Sequence, residues 1–192
     1  MSRALVVDDT QLGRHALSEE LKSAGFEVHA FGDAYDAIAA VPSVEPSIAV
    51  IDFQLPGIDG IELTERIRSF SDVPIILITA YGSPSLLERS ERAGAQVMLD
   101  FNRDLARTGE LALELVRARA ASGALPIAAQ PEMLRRRKDV LLRASLEKAL
   151  LETHGNVSEA ARRTGISRGS VRYQIKRLGL WPVGPNPAMP KR

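Results

Sequence analysis

The sequence Ile48-Ala49-Val50-Ile51-Asp52 places four apolar residues directly before a carboxylate. Two other runs repeat this arrangement: Leu5-Val6-Val7 leads into Asp8-Asp9, and Ile75-Ile76-Leu77-Ile78 leads into Thr79. Short, continuous apolar runs are typical of strands that are buried on both faces of a parallel sheet. Because the carboxyl ends of such strands meet at one edge of the sheet, we expect these polar residues to lie together.

Five short β-rich runs alternate with amphipathic helical stretches over the first 120 residues. We predict strands at 3–8, 27–31, 47–52, 74–79 and 96–100. We predict helices at 11–24, 34–41, 59–69, 84–93 and 104–120. This alternation indicates an α/β domain at 1–120 with a doubly wound, five-stranded parallel sheet.

The composition changes after this domain. Residues 121–132 are predicted to be a linker, because they include Gly123 and Pro126 and lack a steady apolar period. Residues 182–192 contain four prolines and are predicted to be a disordered tail.

The residues between linker and tail predict a small all-α helix-turn-helix domain at 133–181. Pro131 suits the first position of a helix, which we expect to run to His154. A shorter helix at 157–164, the turn Thr164-Gly165-Ile166-Ser167 and another helix from Arg168 complete the arrangement.

The two halves carry opposite charge. Residues 1–132 hold 11 Lys and Arg against 20 Asp and Glu, a net charge of −9, whereas residues 133–192 hold 14 against 4, a net charge of +10. A basic module of this size favours a polyanionic partner, which the acidic half would not bind by itself.

The chain contains no cysteine, which excludes disulfides and thiolate chemistry and is compatible with a reducing compartment. No apolar run approaches the length of a membrane span. We therefore expect a cytoplasmic protein that does not enter a membrane.

Three carboxylates at one sheet edge, those of Asp8, Asp9 and Asp52, repel one another. A hard divalent cation is the simplest means of holding them together, and Mg²⁺ fits best. Such an ion would leave room for a phosphoryl group in line with Asp52, and Thr79 would supply a hydroxyl across the pocket.

With these motifs, residues 1–120 resemble the receiver domains of two-component response regulators. The resemblance implies that Asp52 is the phosphoacceptor and that Thr79 is the switch residue. It also implies that Mg²⁺ is bound by Asp8, Asp9, Asp52 and the backbone carbonyl of Gln54. A sensor histidine kinase would be the phosphate source.

The resemblance breaks at the end of the fifth predicted strand, in the run Ala93-Gly94-Ala95-Gln96-Val97-Met98-Leu99-Asp100-Phe101-Asn102. Receivers usually carry a switch aromatic at the position of Met98 and a Lys-Pro pair at the positions of Phe101 and Asn102. Two interpretations stay open. Either the pocket persists as a metal site on which phosphorylation has little or no effect, or phosphate still acts through Mg²⁺, Thr79 and Arg103.

The segment from Gly155 to Gly179 resembles the helix-turn-helix of the factor-for-inversion-stimulation (Fis) family. Ala160-Ala161 allow close approach of two helices, and Gly165 permits the turn. The resemblance implies that Ser167 and Arg168 lie nearest the base edges of double-stranded DNA. It implies that Asn156, Ser158, Ser170, Arg172 and Tyr173 lie nearer the DNA backbone. Lys176 lies on or near the outward face of the same helix and is a further candidate for DNA contact.

The long helix before this segment has more apolar positions than one three-helix module can bury: Val140, Leu141, Ala144, Leu146, Ala149, Leu150 and Leu151. Fis-type proteins dimerise through this helix, so we expect a two-fold homodimer.

The whole architecture resembles the small response regulators of the RegA/PrrA/ActR group, which implies a transcriptional regulator and not an enzyme. Two alternatives are weighed against it. One is an architectural DNA-binding protein whose first domain serves only as a dimerisation or docking body. The other is a Mg²⁺-dependent phosphohydrolase with Asp52 as nucleophile, for which the pocket lacks a general acid and a substrate cap.

Overall fold

The computed structural model describes residues 1–122 and 131–180, with the backbone alone over 131–138. All of the predicted linker except its ends, and the predicted tail together with Trp181, lie outside the described residues. The chain divides into two compact units, Met1–Arg137 and Lys138–Arg192. None of the described helices is long and apolar enough to cross a membrane.

The first unit is built on a five-stranded, all-parallel sheet in the order β2-β1-β3-β4-β5. Its strands are β1 (Arg3–Val7), β2 (Glu27–Phe31), β3 (Ile48–Asp52), β4 (Ile75–Thr79) and β5 (Val97–Asp100). Each boundary lies within one residue of its predicted position, and the predicted fold class is confirmed.

Six helices and one 3₁₀ turn connect and follow the strands. They are α1 (Gln11–Ser23), α2 (Ala34–Val44), α3 (Gly60–Arg68), α4 (Pro84–Ala93), α5 (Phe101–Asp104), the 3₁₀ turn (Leu105–Arg107) and α6 (Thr108–Ala121). A side-chain oxygen caps the start of each of the first four helices, from Thr10, Asp33, Asp59 and Ser83. These caps fix where the chain turns away from the sheet edge.

Helix α2 continues through Pro42 to Val44, whereas the sequence predicted an end at residue 41. Proline costs a helix one backbone hydrogen bond. Val41 and Val44 are both buried, so the apolar contacts of the last turn offset that loss. The helix then ends at Glu45, whose φ of 47° is left-handed.

The chain after β5 also differs from the prediction, which placed one helix at 104–120. Helix α5 begins directly after the strand because the Asp100 side chain accepts hydrogen bonds from the backbone N–H groups of Asn102 and Arg103. The long helix α6 starts only at Thr108.

The strand register brings the polar strand ends to one edge. Val7 at the end of β1 pairs with Ile51, so Asp8 lies level with Asp52 on the neighbouring strand. On the next pair, Thr79 is level with Asp100. Phe101 and Leu105 pack against an apolar core cluster that includes Val50 and Ile78.

The described part of the second unit contains only helices: α8 (Val157–Thr164), α9 (Arg168–Leu178) and most of α7 (Pro131–Glu152), which begins before the unit boundary. Helix α7 ends two residues before the predicted His154, which adopts a left-handed φ of 49° in the turn. Gly165 ends α8 with a φ of 68°, and Ser167 caps α9 by accepting the Ser170 N–H group.

Leu146 is not a surplus apolar residue of α7, contrary to the sequence prediction. It is fully buried in the module's own core, together with Leu150, Ala160 and Val171. A helical repeat in the sequence cannot tell which apolar residues face α8 and α9. Leu151 remains 37% exposed on this helix.

Candidate functional site

The sheet edge of the first unit brings three predicted carboxylates together. One oxygen from each of Asp8, Asp9 and Asp52 lies within 4.8 Å of the other two. Asp8 is buried and Asp9 is exposed, so the group opens to solvent on one side. An all-oxygen set with an open side fits Mg²⁺, which prefers carboxylate ligands and keeps several water ligands.

The electrostatics of Asp52 support the same fit. Burial, together with the nearby charges of Asp8 and Asp9, raises the pKa of Asp52 to about 7, although hydrogen bonds from the backbone of Gln54 and Phe53 act in the opposite direction. The negative charge of the pocket is therefore poorly compensated by the protein itself. A bound cation would remove this penalty and keep Asp52 ionised.

Glycine shapes the loop that carries Asp52. A β-carbon on Gly60 would lie 2.3 Å from the Asp52 carbonyl oxygen, and the Gly60 N–H group donates to the Phe53 carbonyl at 2.9 Å. The start of α3 is thus pressed against the end of β3. Gln54, whose carbonyl was predicted as a metal ligand, is exposed in this loop. Its backbone N–H group donates a hydrogen bond to the Asp52 carboxylate.

Thr79 is buried across the pocket, at the end of β4. Its hydroxyl oxygen accepts the Tyr81 N–H group at 3.1 Å, which leaves its proton available to another acceptor. The methyl groups of Thr79 and Met98 both lie beside Gly82. A β-carbon built on Gly82 would lie 3.7 Å from the Thr79 methyl group and 3.5 Å from the Met98 methyl group. Thr79 and Met98, two of the three predicted switch positions with Phe101, are therefore neighbours.

Phe101 follows β5 at this edge, and its ring packs partly into the core beneath α6. The hypothesis that Arg103 supplies a cation to the pocket is not supported by its position. Its guanidinium donates to the carboxylate of Asp104 at 3.0 Å and is otherwise exposed. The helix that starts at Phe101 turns the Arg103 side chain toward its own first turn.

Sequence reasoning missed three residues that contact Asp8. Thr10 donates to the Asp8 carboxylate, Gly13 lies against it, and Arg14 donates to the Asp8 backbone carbonyl. A Thr-x-x-Gly-Arg run after two aspartates was the available signal. Only the three-dimensional structure shows that these three residues contact Asp8 at the end of β1.

The second candidate surface lies on α8 and α9. Within the described part of the chain, three cations of α9 have no carboxylate at ion-pair distance: Arg168, Arg172 and Lys176. All three are exposed, as is Tyr173 on the same helix. The helix therefore presents uncompensated positive charge and one aromatic ring to solvent.

Other arginines of this unit are bound to acids. Arg177 donates to Asp139 at 2.7 Å and to Gln174, while Arg162 pairs with Glu159. The Arg177–Asp139 pair joins α9 to α7, and the Arg162–Glu159 pair lies within α8. These arginines are neutralised by neighbouring acids, unlike the three cations of α9 described above.

The predicted polar contacts gather at the turn between α8 and α9. Ser158, Ser167 and Arg168 line one groove of about 460 Å³ together with Ile166. Two of the polar residues also act as caps. Asn156 accepts the N–H groups of Ser158 and Glu159, and the Ser167 and Ser170 hydroxyls lie 2.9 Å apart.

Comparison with known proteins finds a family match within each unit. Residues 4–116 match the family model of the response regulator receiver domain, and residues 143–178 match that of the bacterial regulatory proteins of the Fis family. A receiver domain protein (CheY-like) from Methanospirillum hungatei JF-1 has a similar structure, with a TM-score of 0.60 at 24% identity. That match covers 64% of this chain and 99% of the other.

Two curated relatives extend the comparison. The cyclic di-GMP phosphodiesterase response regulator RpfG of Xanthomonas campestris is 32% identical over 83% of this chain and 40% of its own length. The DNA-binding response regulator MtrA of Mycolicibacterium paratuberculosis is 37% identical over 41% of this chain and 35% of its own. The chain thus spans less than half the length of either relative. Its receiver match covers more than half of the chain, and the chain belongs to the response regulator receiver family, with a Fis-family segment in its second unit.

Proposed function

We propose that this protein is a DNA-binding transcriptional response regulator with an atypical receiver, in which phosphorylation of Asp52 has little or no effect on DNA affinity. The observation that carries the proposal is the position of Phe101. It stands at the end of β5, where receivers usually place a lysine, and its ring packs into the core. No described side chain replaces that cation from β5 or α5, since Arg103 is bound to Asp104.

The proposed DNA surface rests on the uncompensated charge of α9. Arginine can make bidentate contacts to guanine in the major groove, and lysine mostly holds phosphates. Arg168 lies at the start of α9, which suits base contact, and Lys176 lies two turns further along. Ser167, Ser170, Arg172 and Tyr173 lie around them, with Asn156 and Ser158 at the start of α8.

The receiver retains the parts needed for phosphoryl transfer. Asp8, Asp9 and Asp52, with the Gln54 carbonyl, would hold Mg²⁺, and the ion would neutralise oxygens that otherwise face carboxylates. An oxygen of Asp52 would attack phosphorus while the bond to the donor, a histidine kinase or a small phosphodonor, breaks. In this proposal Thr79 would donate its hydroxyl proton to a phosphoryl oxygen.

In this proposal the receiver lacks the positive charge, that of a lysine at the position of Phe101, which would stabilise the conformation adopted after phosphorylation. A cation at contact distance from the phosphoryl group is worth about 4 kcal/mol at an effective dielectric constant of 20, before desolvation. Each 1.4 kcal/mol corresponds to about a tenfold change in a population ratio. Loss of this interaction is enough to remove a preference for the phosphorylated conformation.

The assembly that we propose is a homodimer, as expected from the resemblance to Fis-type proteins. The partly exposed apolar residues of α7, Val140, Leu141 and Leu151, suit a second copy of the helix. A two-fold protein would then bind a symmetric DNA site.

A phosphorylation-dependent regulator of the conventional type is the second candidate. Two observations favour it: the three aspartates lie together, and Thr79 is buried at the end of β4. Both regulator candidates require sequence-specific DNA binding, which an architectural protein does not. The test is to select a binding site from a pool of random DNA with the intact protein and to compare its affinity for the selected site with its affinity for random DNA. A protein that binds the selected site and random DNA equally would not be a transcriptional regulator of this kind.

A further inference from the structure

The Asp8 carboxylate is held by hydrogen bonds from the residue that caps the start of α1. Its Oδ1 atom accepts two hydrogen bonds from Thr10, one from the backbone N–H group and one from the hydroxyl, both at 2.7 Å. The Thr10 hydroxyl oxygen in turn accepts the N–H group of Gly13 at 3.1 Å, so one side chain serves both the carboxylate and the cap of α1. Asp8 is only 5% exposed as a result of this enclosure.

Gly13 provides the space into which this carboxylate fits. A β-carbon at Gly13 would lie 2.0 Å from Oδ2 and 2.5 Å from Cγ of Asp8. Distances below 3.0 Å are not tolerated between these atoms, so any larger residue would force the carboxylate out of its position. Gly13 is in ordinary helical conformation within α1. Glycine is therefore needed here for close approach and not for backbone freedom.

Arg14 fixes the backbone of the same aspartate. Its Nη1 atom donates to the Asp8 carbonyl at 2.7 Å, and the guanidinium lies against Gly32, where a β-carbon would approach Nη1 to 2.8 Å. The Asp8 N–H group donates to the Phe31 carbonyl at 3.1 Å. Side chain, carbonyl and amide of Asp8 are thus each bound to a different partner.

We propose that Thr10, Gly13 and Arg14 are positioning residues that preset the Asp8 carboxylate for a divalent cation, so that the start of α1 determines the Mg²⁺ affinity of the pocket. The inference rests on the proposed Mg²⁺ site and assigns these three residues a role in it. Groups that orient a metal ligand typically change metal affinity by 10- to 100-fold when they are removed.

The test is isothermal titration of the intact protein with MgCl₂, with thermal denaturation of each variant as the check on folding. Gly13→Ala is expected to weaken Mg²⁺ binding at least tenfold, because its methyl group displaces the carboxylate. Gly169→Ala is the matched control. It introduces the same methyl group near the start of a helix, with nothing within 4 Å, and should bind Mg²⁺ as wild type does.

A pair of variants at Thr10 keeps the test decisive if Gly13→Ala does not fold. Thr10→Val loses the hydroxyl and should bind Mg²⁺ several-fold more weakly, whereas Thr10→Ser retains it and should restore wild-type affinity. Wild-type affinity in Thr10→Val and in folded Gly13→Ala would overturn the positioning role alone. A wild-type protein that binds no Mg²⁺ at millimolar concentration would overturn the cation site, and this inference with it.

Discussion

Thr79 at the end of β4 is the register partner of Asp100 at the end of β5. The next residue, Phe101, occupies the position at which our proposal expects receivers to carry a lysine. Instead its ring packs against the core cluster of the receiver and helps to fix α5 and α6 on the sheet. On this proposal, a phenylalanine at this position leaves the pocket without a cation and adds apolar contact to the core.

We predict that Phe101→Ala destabilises the receiver. A core Phe→Ala substitution costs about 3–5 kcal/mol, and because Phe101 is only partly buried we expect about 1–3 kcal/mol in the free energy of unfolding. Differential scanning calorimetry of the intact protein measures the shift. Leu12→Ala is the control, since Leu12 is 78% exposed and should cost less than about 0.5 kcal/mol. Equal stability of both variants would show that the Phe101 ring contributes nothing to the core.

Leu146→Glu is expected to unfold the second unit. The substitution places an unpaired carboxylate among Leu150, Ala160 and Val171, and a buried charge of this kind costs several kcal/mol. Loss of the cooperative melting transition of a fragment 131–192 would be seen by circular dichroism. Leu151→Glu, at a partly exposed position of the same helix, should retain the transition. A folded Leu146→Glu fragment would contradict the assignment of this side chain to the core.

Sequence patterns predicted the receiver well because its strands are continuous apolar runs with polar ends. Asp8, Asp9 and Asp52 could be placed at one edge from the parallel sheet alone. The start of α5 was not predicted, because it depends on the local cap by Asp100. The contacts of Gly13 with Asp8 also escaped prediction, since they require the tertiary approach of α1 to the end of β1.

Helix periodicity was less informative in the second unit. It predicted an apolar excess on α7, but Leu146 and Leu151 differ in burial although both fit the pattern. The available cations of α9 could not be separated from the paired ones either. That distinction depends on Asp139, which meets Arg177 from another helix.

Arg168 and Arg177 should differ in their effect on DNA binding although both carry one positive charge on α9. We expect Arg168→Ala to cost about 1–3 kcal/mol on the preferred site and to relax sequence choice there. Arg177→Ala should cost less, because the Arg177 guanidinium is bound to Asp139 and Gln174. Fluorescence anisotropy on selected and random DNA measures both. Equal losses on every sequence would remove the base-reading role of Arg168.

The raised pKa of Asp52 predicts a pH dependence of stability in the absence of metal. Its pKa is about 7 in the folded protein against an ordinary value of 3.8, so between these values the folded state binds more protons than the unfolded state. The contribution of Asp52 to the free energy of unfolding therefore falls as the pH rises from about 4 to about 7, and the folded protein becomes less stable. Asp52→Asn lacks this contribution.

Thermal denaturation in EDTA across this pH range tests the prediction. The melting temperature of Asp52→Asn should rise relative to wild type as the pH increases, and Mg²⁺ should reduce the difference at pH 8. Parallel pH profiles of the two proteins would contradict the assignment of a raised pKa to Asp52.

The effect of Asp52 on DNA affinity tests the proposed function most directly. Wild type and Asp52→Asn are each titrated with the selected DNA site, in the presence of Mg²⁺, with and without a small phosphodonor, and mass spectrometry monitors phosphorylation of the wild type. We predict that all four affinities agree within about threefold, which corresponds to about 0.7 kcal/mol. A tenfold or larger phosphodonor effect that is present in wild type and absent from Asp52→Asn would contradict the account. It would show that the aspartates and Thr79 operate the switch without the missing lysine.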